Sequence, residues 1–121
     1  MTYTAQDFQT LALNAFPELR DDFDEDWDLP HLQMAAFSRV AQKAKDAGDW
    51  ETYARCVGIA DRLFSKADTE LRNMLYVSFL EHLEFQGPRG KKAWDILPLR
   101  LRDAWEELEQ HWEQIMRPKQ Q

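Results

Sequence analysis

The sequence predicts an all-α fold in one domain spanning residues 1–121. Three observations lead there. Apolar residues recur at helical steps of three and four along most of the chain. Only four Gly and five Pro interrupt 121 residues. β-Branched residues, which favour strands, are scarce. Length and composition agree. A 121-residue chain falls in the usual ~100–150 range of one domain and is long enough for a core without disulfide or metal staples. With 44% apolar residues and 12% aromatic ones, it is too rich in core-forming side chains for a disordered segment.

The elements follow in order. Thr4-Ala-Gln-Asp7 has the form of a capping box, with Asp where Glu is usual. Phe8, Leu11, Ala12 and Ala15 continue at helical spacing, and Pro17 closes the segment. Residues 18–29 are acid-rich, and the four-residue steps from Leu19 to Phe23 to Trp27 predict a short helix with one apolar edge. Pro30 suits the first turn of a helix whose stripe is Met34, Phe37, Val40, Ala41 and Ala44, with Gly48 as its stop. Asp49 caps the next helix, which carries Trp50, Tyr53, Val57, Ala60 and Phe64 on one face. Asp68 or Thr69 caps another, expected to run to about Phe85; it is apolar nearly all round between Leu71 and Leu80, as a buried central helix is. Gln86 to Gly90 reads as the clearest loop, followed by a short turn around Trp94 and Ile96. Pro98 starts the last helix, where Leu101, Trp105, Leu108, Trp112 and Ile115 step by 4, 3, 4 and 3. Residues 117–121 are expected to fray. The sum is about six or seven helices in an up-down bundle, with a stack of HEAT-like helical hairpins as the alternative arrangement.

Charge is distributed unevenly. The net charge is −7, and residues 1–30 alone hold eight acids and one base. The remaining 91 residues hold 14 of each and are neutral. This argues against binding the phosphate backbone of nucleic acid, which needs clustered Lys and Arg. The longest stretches free of Asp, Glu, Lys and Arg are ten residues, well short of a membrane span of ~18, so no membrane association is expected. The first ten residues, MTYTAQDFQT, lack the basic and apolar regions of a secretory leader, and a cytoplasmic location is the expectation.

Each chemistry-bearing pattern has a plainer reading beside it. Asp22-x-Asp24-x-Asp26-x-Asp28 resembles the start of a calcium loop. In either register, however, the Gly at position 6 and the Glu at position 12 are missing, so no metal is expected. The single Cys56 excludes an internal disulfide and a cysteine zinc cluster, and within a helix it reads as a small buried side chain. His31, His82 and His111 show no metal-ligand spacing. Gly90-Lys91-Lys92 lacks the earlier Gly, the Ser or Thr and the preceding strand of a phosphate loop, leaving a small basic patch at Arg89, Lys91 and Lys92. No catalytic residues and no cofactor are expected. The acidic segment is different. Asp21, Asp22, Asp24, Glu25, Asp26 and Asp28 lie within eight residues and create a negative field that speeds association with a cationic protein. Trp27, and Phe23 beside it, can add the apolar anchor that charge alone does not supply. The plainer reading makes Phe23 and Trp27 core residues and the acids a solvated face.

The run Glu70-Leu-Arg-Asn-Met-Leu-Tyr-Val-Ser-Phe-Leu-Glu-His-Leu83 is the most distinctive text in the chain. With Pro17-Glu18-Leu19 and Pro30-His31-Leu32, it resembles a family of small all-helical bacterial proteins over roughly residues 8–112. His82 departs from that pattern, where Asn is usual. Most members are of unknown function, and many look like immunity proteins of polymorphic toxin systems. The resemblance implies a non-enzymatic, cytoplasmic inhibitor, monomer or homodimer, that neutralises a cognate toxin by covering its active or substrate-binding surface. The toxin is expected to be basic, because an acidic patch is complementary to it. Two other readings are an intracellular adaptor that docks another protein and, last in rank, an enzyme assembled from Glu81, His82 and the acidic segment.

Overall fold

The computed structural model describes residues 1–116, with side chains as far as His111. Expectations about Trp112, Ile115 and residues 117–121 lie outside the described residues. Seven α-helices are described: α1 (Ala5–Ala15), α2 (Arg20–Glu25), α3 (Pro30–Ala47), α4 (Trp50–Ser65), α5 (Thr69–Met74), α6 (Gly87–Ile96) and α7 (Leu99–Met116). A 3-10 turn, Pro17–Leu19, precedes α2; a π-helical turn, Leu75–Phe79, and a 3-10 turn, Leu80–His82, follow α5. The all-α, single-domain expectation holds.

Local chemistry sets most of the ends. Thr4 accepts from the Asp7 N–H, and the Asp7 carboxylate accepts from the Thr4 N–H, so the capping box forms with Asp in place of Glu. Asp49 and Asp68 accept from the N–H groups of Thr52 and Leu71 and cap α4 and α5. Gly48 ends α3 in the left-handed region at φ 72°, where its N–H reaches the carbonyls of the last turn. Pro30 occupies the first turn of α3. Tyr3 pairs with the turn after α4, donating to the Lys66 carbonyl and accepting from the Asp68 N–H.

The core centres on α3, which packs against α4 on one side and the π-helical turn on another. Phe37 of α3 stands between Phe8 of α1 and Phe79 of the π-helical turn, with ring centroids 5.5 and 5.6 Å away. Phe8 also meets Phe23 of α2 at 5.6 Å. A second aromatic group, Phe85, Trp94 and Trp105, forms a triangle of edge contacts between 5.1 and 5.5 Å. The described tryptophans of the apolar stripes, Trp50, Trp94 and Trp105, are half-buried against the core.

Two expectations are corrected. The helix expected from Asp68 to Phe85 is not continuous: α5 ends at Met74, the chain widens into the π-helical turn, tightens into the 3-10 turn and is extended by Leu83. A regular helix cannot turn every apolar residue of this run inward. The altered pitch buries Leu75, Phe79, Leu80 and Leu83 and leaves Val77 43% exposed. The loop expected at 86–90 is the first turn of α6, in which Gly87 and Pro88 open the helix and Trp94 and Ile96 close it. Gly and Pro there mark a helix start and a close contact: Gly90 is buried against the backbone of Phe85.

Candidate partner-binding surface

The acidic segment forms the corner between α2 and α3. Asp21, Asp22, Asp24, Glu25 and Asp28 are exposed, and Asp26 is half-buried. The ion pairs among the described residues are Lys45 with Asp46 and Arg100 with Asp61, so none of these six carboxylates is neutralised by a neighbouring base. The two aromatics part company. Phe23 is 1% exposed and belongs to the core, whereas Trp27 is 64% exposed. The cause is local. α2 ends at Glu25, and Asp26 leaves helical geometry at φ −104°, ψ 33°, so the four-residue step from Phe23 no longer brings Trp27 to the same face. Leu29 and Leu32 are 52% and 48% exposed beside it in sequence. Three large apolar side chains therefore stand in solvent along the same stretch of chain as six unpaired carboxylates.

Two clefts flank α3. The larger, about 780 Å³, has Glu18, Leu19 and Asp22 on one side and Arg39, Val40, Lys43 and Asp49 on the other. Of the seven residues singled out for partner binding, only Asp22 lines it. The Asp49 carboxyl is held below its usual range by hydrogen bonds from the Thr52 hydroxyl and N–H. The smaller cleft, about 460 Å³, places Glu81, His82 and Glu84 opposite Ser38 and Gln42 of α3. Side chains from α3 position that segment: Gln42 donates to the His82 carbonyl and Lys45 to the Glu84 carbonyl. None of the acids from Asp21 to Asp28 lines this cleft, so the arrangement of Glu81, His82 and the acidic segment as one site is not formed.

The remaining candidates have structural partners. His31 shares a 2.8 Å hydrogen bond with the Ser78 hydroxyl, which joins α3 to the π-helical turn. Cys56 is fully buried, and burial pushes its thiol up to about 12. Of the basic patch, Arg89 donates to the Asp46 carbonyl and Lys92 lies 5.2 Å from the centre of the Trp50 ring. Among the described residues, no three His, Cys, Asp or Glu side chains converge as a metal site, and no helix is long and apolar enough to cross a membrane. The α3 cleft went unnoticed in the sequence. Its available signal was the spacing of Arg39, Gln42 and Asp46, a polar stripe on an otherwise core-forming helix.

Fold and surface together define a small all-α domain whose stretch from Asp21 to Leu32 exposes both acidic and large apolar side chains. Residues 10–113 match the model of a family described as a domain of unknown function, DUF7674, and the chain belongs to that family. No curated protein and no solved structure matches the chain.

Proposed function

We propose that this protein is a non-catalytic binding domain that docks a basic protein through the corner formed by Trp27, Leu29 and Leu32. The observation that carries the reading is the exposure of these three apolar side chains beside six carboxylates that have no basic partner among the described residues. Exposed aromatics inside a charged rim supply binding energy at the centre and steering at the edge. In its finer form, the reading makes the protein an immunity protein of the cytoplasm, whose partner is a cognate toxin with a cationic substrate-binding surface. The sequence resemblance and the sign of the corner's charge support that form.

Capture of partners on the tagged protein, in lysate of its own host at low salt and at ~0.5 M salt, tests both levels. The expected result is one toxin-like basic protein that is depleted at high salt. A variant with Asp21, Asp22, Asp24 and Asp28 changed to Asn is expected to fold as the parent does and to hold that partner weakly, with a flattened salt dependence. A housekeeping partner overturns the immunity form. Capture that is insensitive to both salt and the four substitutions overturns the corner as the docking site.

A further inference from the structure

Gln33 is fully buried on α3, four residues before Phe37. Among the described residues it is the only side-chain amide in the core. Burying an amide costs free energy unless both of its ends are paired, and here both are. Nε2 donates to the Phe23 carbonyl at 3.0 Å, and Oε1 accepts from Gln9 Nε2 of α1 at 2.8 Å. The partner dictates the orientation: a backbone carbonyl can only accept, so the NH2 end must face Phe23. Met has a similar size and would fill the site without desolvating an amide. What the amide adds is a donor aimed at one carbonyl of α2.

The course of α2 turns on that carbonyl. The last bond of the helix runs from the Asp26 N–H to the Asp22 carbonyl at 3.1 Å. The next in the series would run from the Trp27 N–H to the Phe23 carbonyl, since helical bonds join residues four apart. It does not form: the Gln33 amide holds the carbonyl, and the Trp27 N–H has no backbone acceptor among the described residues. Gln33 thus supplies, from another helix, the partner that a terminal carbonyl of α2 needs. Asp26 leaves helical geometry there, and Trp27 stands in solvent instead of joining the edge formed by Leu19 and Phe23. The Leu29 N–H closes the turn on the Asp26 carbonyl at 2.8 Å, and the Leu29 carbonyl accepts from the Gln33 N–H at 3.2 Å. Gln33 therefore ties both ends of the segment that carries Trp27, its side chain at Phe23 and its backbone at Leu29.

We infer that Gln33 is the positioning residue of the docking corner: its side-chain amide ends α2 at Glu25 and thereby presents Trp27 to the partner. The role rests on the reading of that corner as the docking surface. It goes beyond that reading by tracing the exposure of Trp27 to a buried side chain outside the surface itself.

The test follows backbone exchange and Cα shifts in the full-length, isotope-labelled protein. Gln33→Met removes the donor with little change in volume. α2 is then expected to extend by one residue: Asp26 takes helical Cα shifts, and the Trp27 amide, now bonded to the Phe23 carbonyl, exchanges at least about tenfold more slowly. General destabilisation moves exchange the other way, so this readout separates positioning from plain support. Gln9→Met, which leaves the Gln33 donor in place, is expected to lower the urea midpoint and to keep the parent's Trp27 exchange and Asp26 shifts. Capture of the basic partner is expected to weaken at least about fivefold in Gln33→Met and to hold in Gln9→Met. In the parent, where no variant has to fold, the Gln33 side-chain amide protons are expected to exchange slowly and to couple across the hydrogen bond to the Phe23 carbonyl carbon. Side-chain protons that exchange as fast as those of exposed Gln86 overturn the role of Gln33 and leave the docking corner standing. So does a folded Gln33→Met variant with the parent's Trp27 exchange. A helical Trp27 with undiminished capture keeps Gln33 as the residue that positions Trp27 and removes the docking reading.

Discussion

The hydroxyl of Tyr53 on α4 donates to the backbone carbonyl of Ala93 on α6 at 3.0 Å, and both residues are fully buried. The bond fixes the height of α6 against α4. The same carbonyl accepts from the Leu97 N–H, so removing the phenol oxygen would not orphan it. Tyr53→Phe should therefore cost about 1 kcal/mol, the ordinary worth of one buried hydrogen bond, read as a lower urea midpoint with an unchanged slope.

Stability should decline on the alkaline side. Burial pushes the Cys56 thiol from 9.0 up to about 12, with Arg55 opposing and Asp49 and Glu18 adding to the shift. Below pH 9 both folded and unfolded chains hold the proton, and the thiol's contribution is complete. Above pH 9 the unfolded chain releases it and the folded chain does not, so the contribution shrinks through pH 9 to 12. Burial raises the Tyr53 phenol too, with the same sign above pH 10. Each such group adds a slope of up to about 1.4 kcal/mol per pH unit. Urea unfolding at pH 7, 9 and 10 measures it. Cys56→Ala should flatten the segment between pH 9 and 10, whatever it costs in packing.

Gly90 and Gly58 should respond to alanine in opposite directions. A Cβ on Gly90 would lie 2.2 Å from the carbonyl carbon of Phe85 and 2.8 Å from its Cα, and backbone cannot step aside as a side chain can. Gly90→Ala is expected to lose about 3 kcal/mol and to disturb the Phe85–Trp94–Trp105 triangle, visible in tryptophan fluorescence. Gly58 lies exposed inside α4 with nothing within 4 Å of an added Cβ. Gly58→Ala should gain about 0.5–1 kcal/mol from helix propensity.

Trp27→Ala separates anchoring from folding. With 64% of the residue in solvent, its removal should change stability by no more than about 0.5 kcal/mol. As a central anchor, it should cost at least about 2 kcal/mol of partner affinity, roughly thirtyfold. Calorimetry of the captured partner against parent and variant gives the number. An affinity within twofold of the parent would show that the corner binds by charge alone.

What the sequence determined by itself is the set of features whose partners lie within one helical turn. Thr4 and Asp7, Asp49 and Thr52, and Asp68 and Leu71 meet because helical backbone brings residues three apart together. Gly48 stops α3 because its φ of 72° suits glycine. The stripes of α3 and α4 were legible for the same reason, as was the burial of Cys56. Tertiary structure decided everything that depends on which surface an element meets. The pattern Leu19, Phe23, Trp27 is the same text whether α2 stops at Glu25 or continues, and the stop sends Trp27 into solvent. The apolar run after Leu71 can be helical throughout or re-pitched, and the demands of Phe37 and the surrounding core selected the π-helical turn. Gly90 reads as loop until Phe85 is placed against it. The cleft at Ser38 joins residues more than forty positions apart in the chain, 38 with 81–84, and no local hydrogen-bond rule reaches that far. Local bonding fixes elements, whereas burial and concavity arise only when distant elements pack.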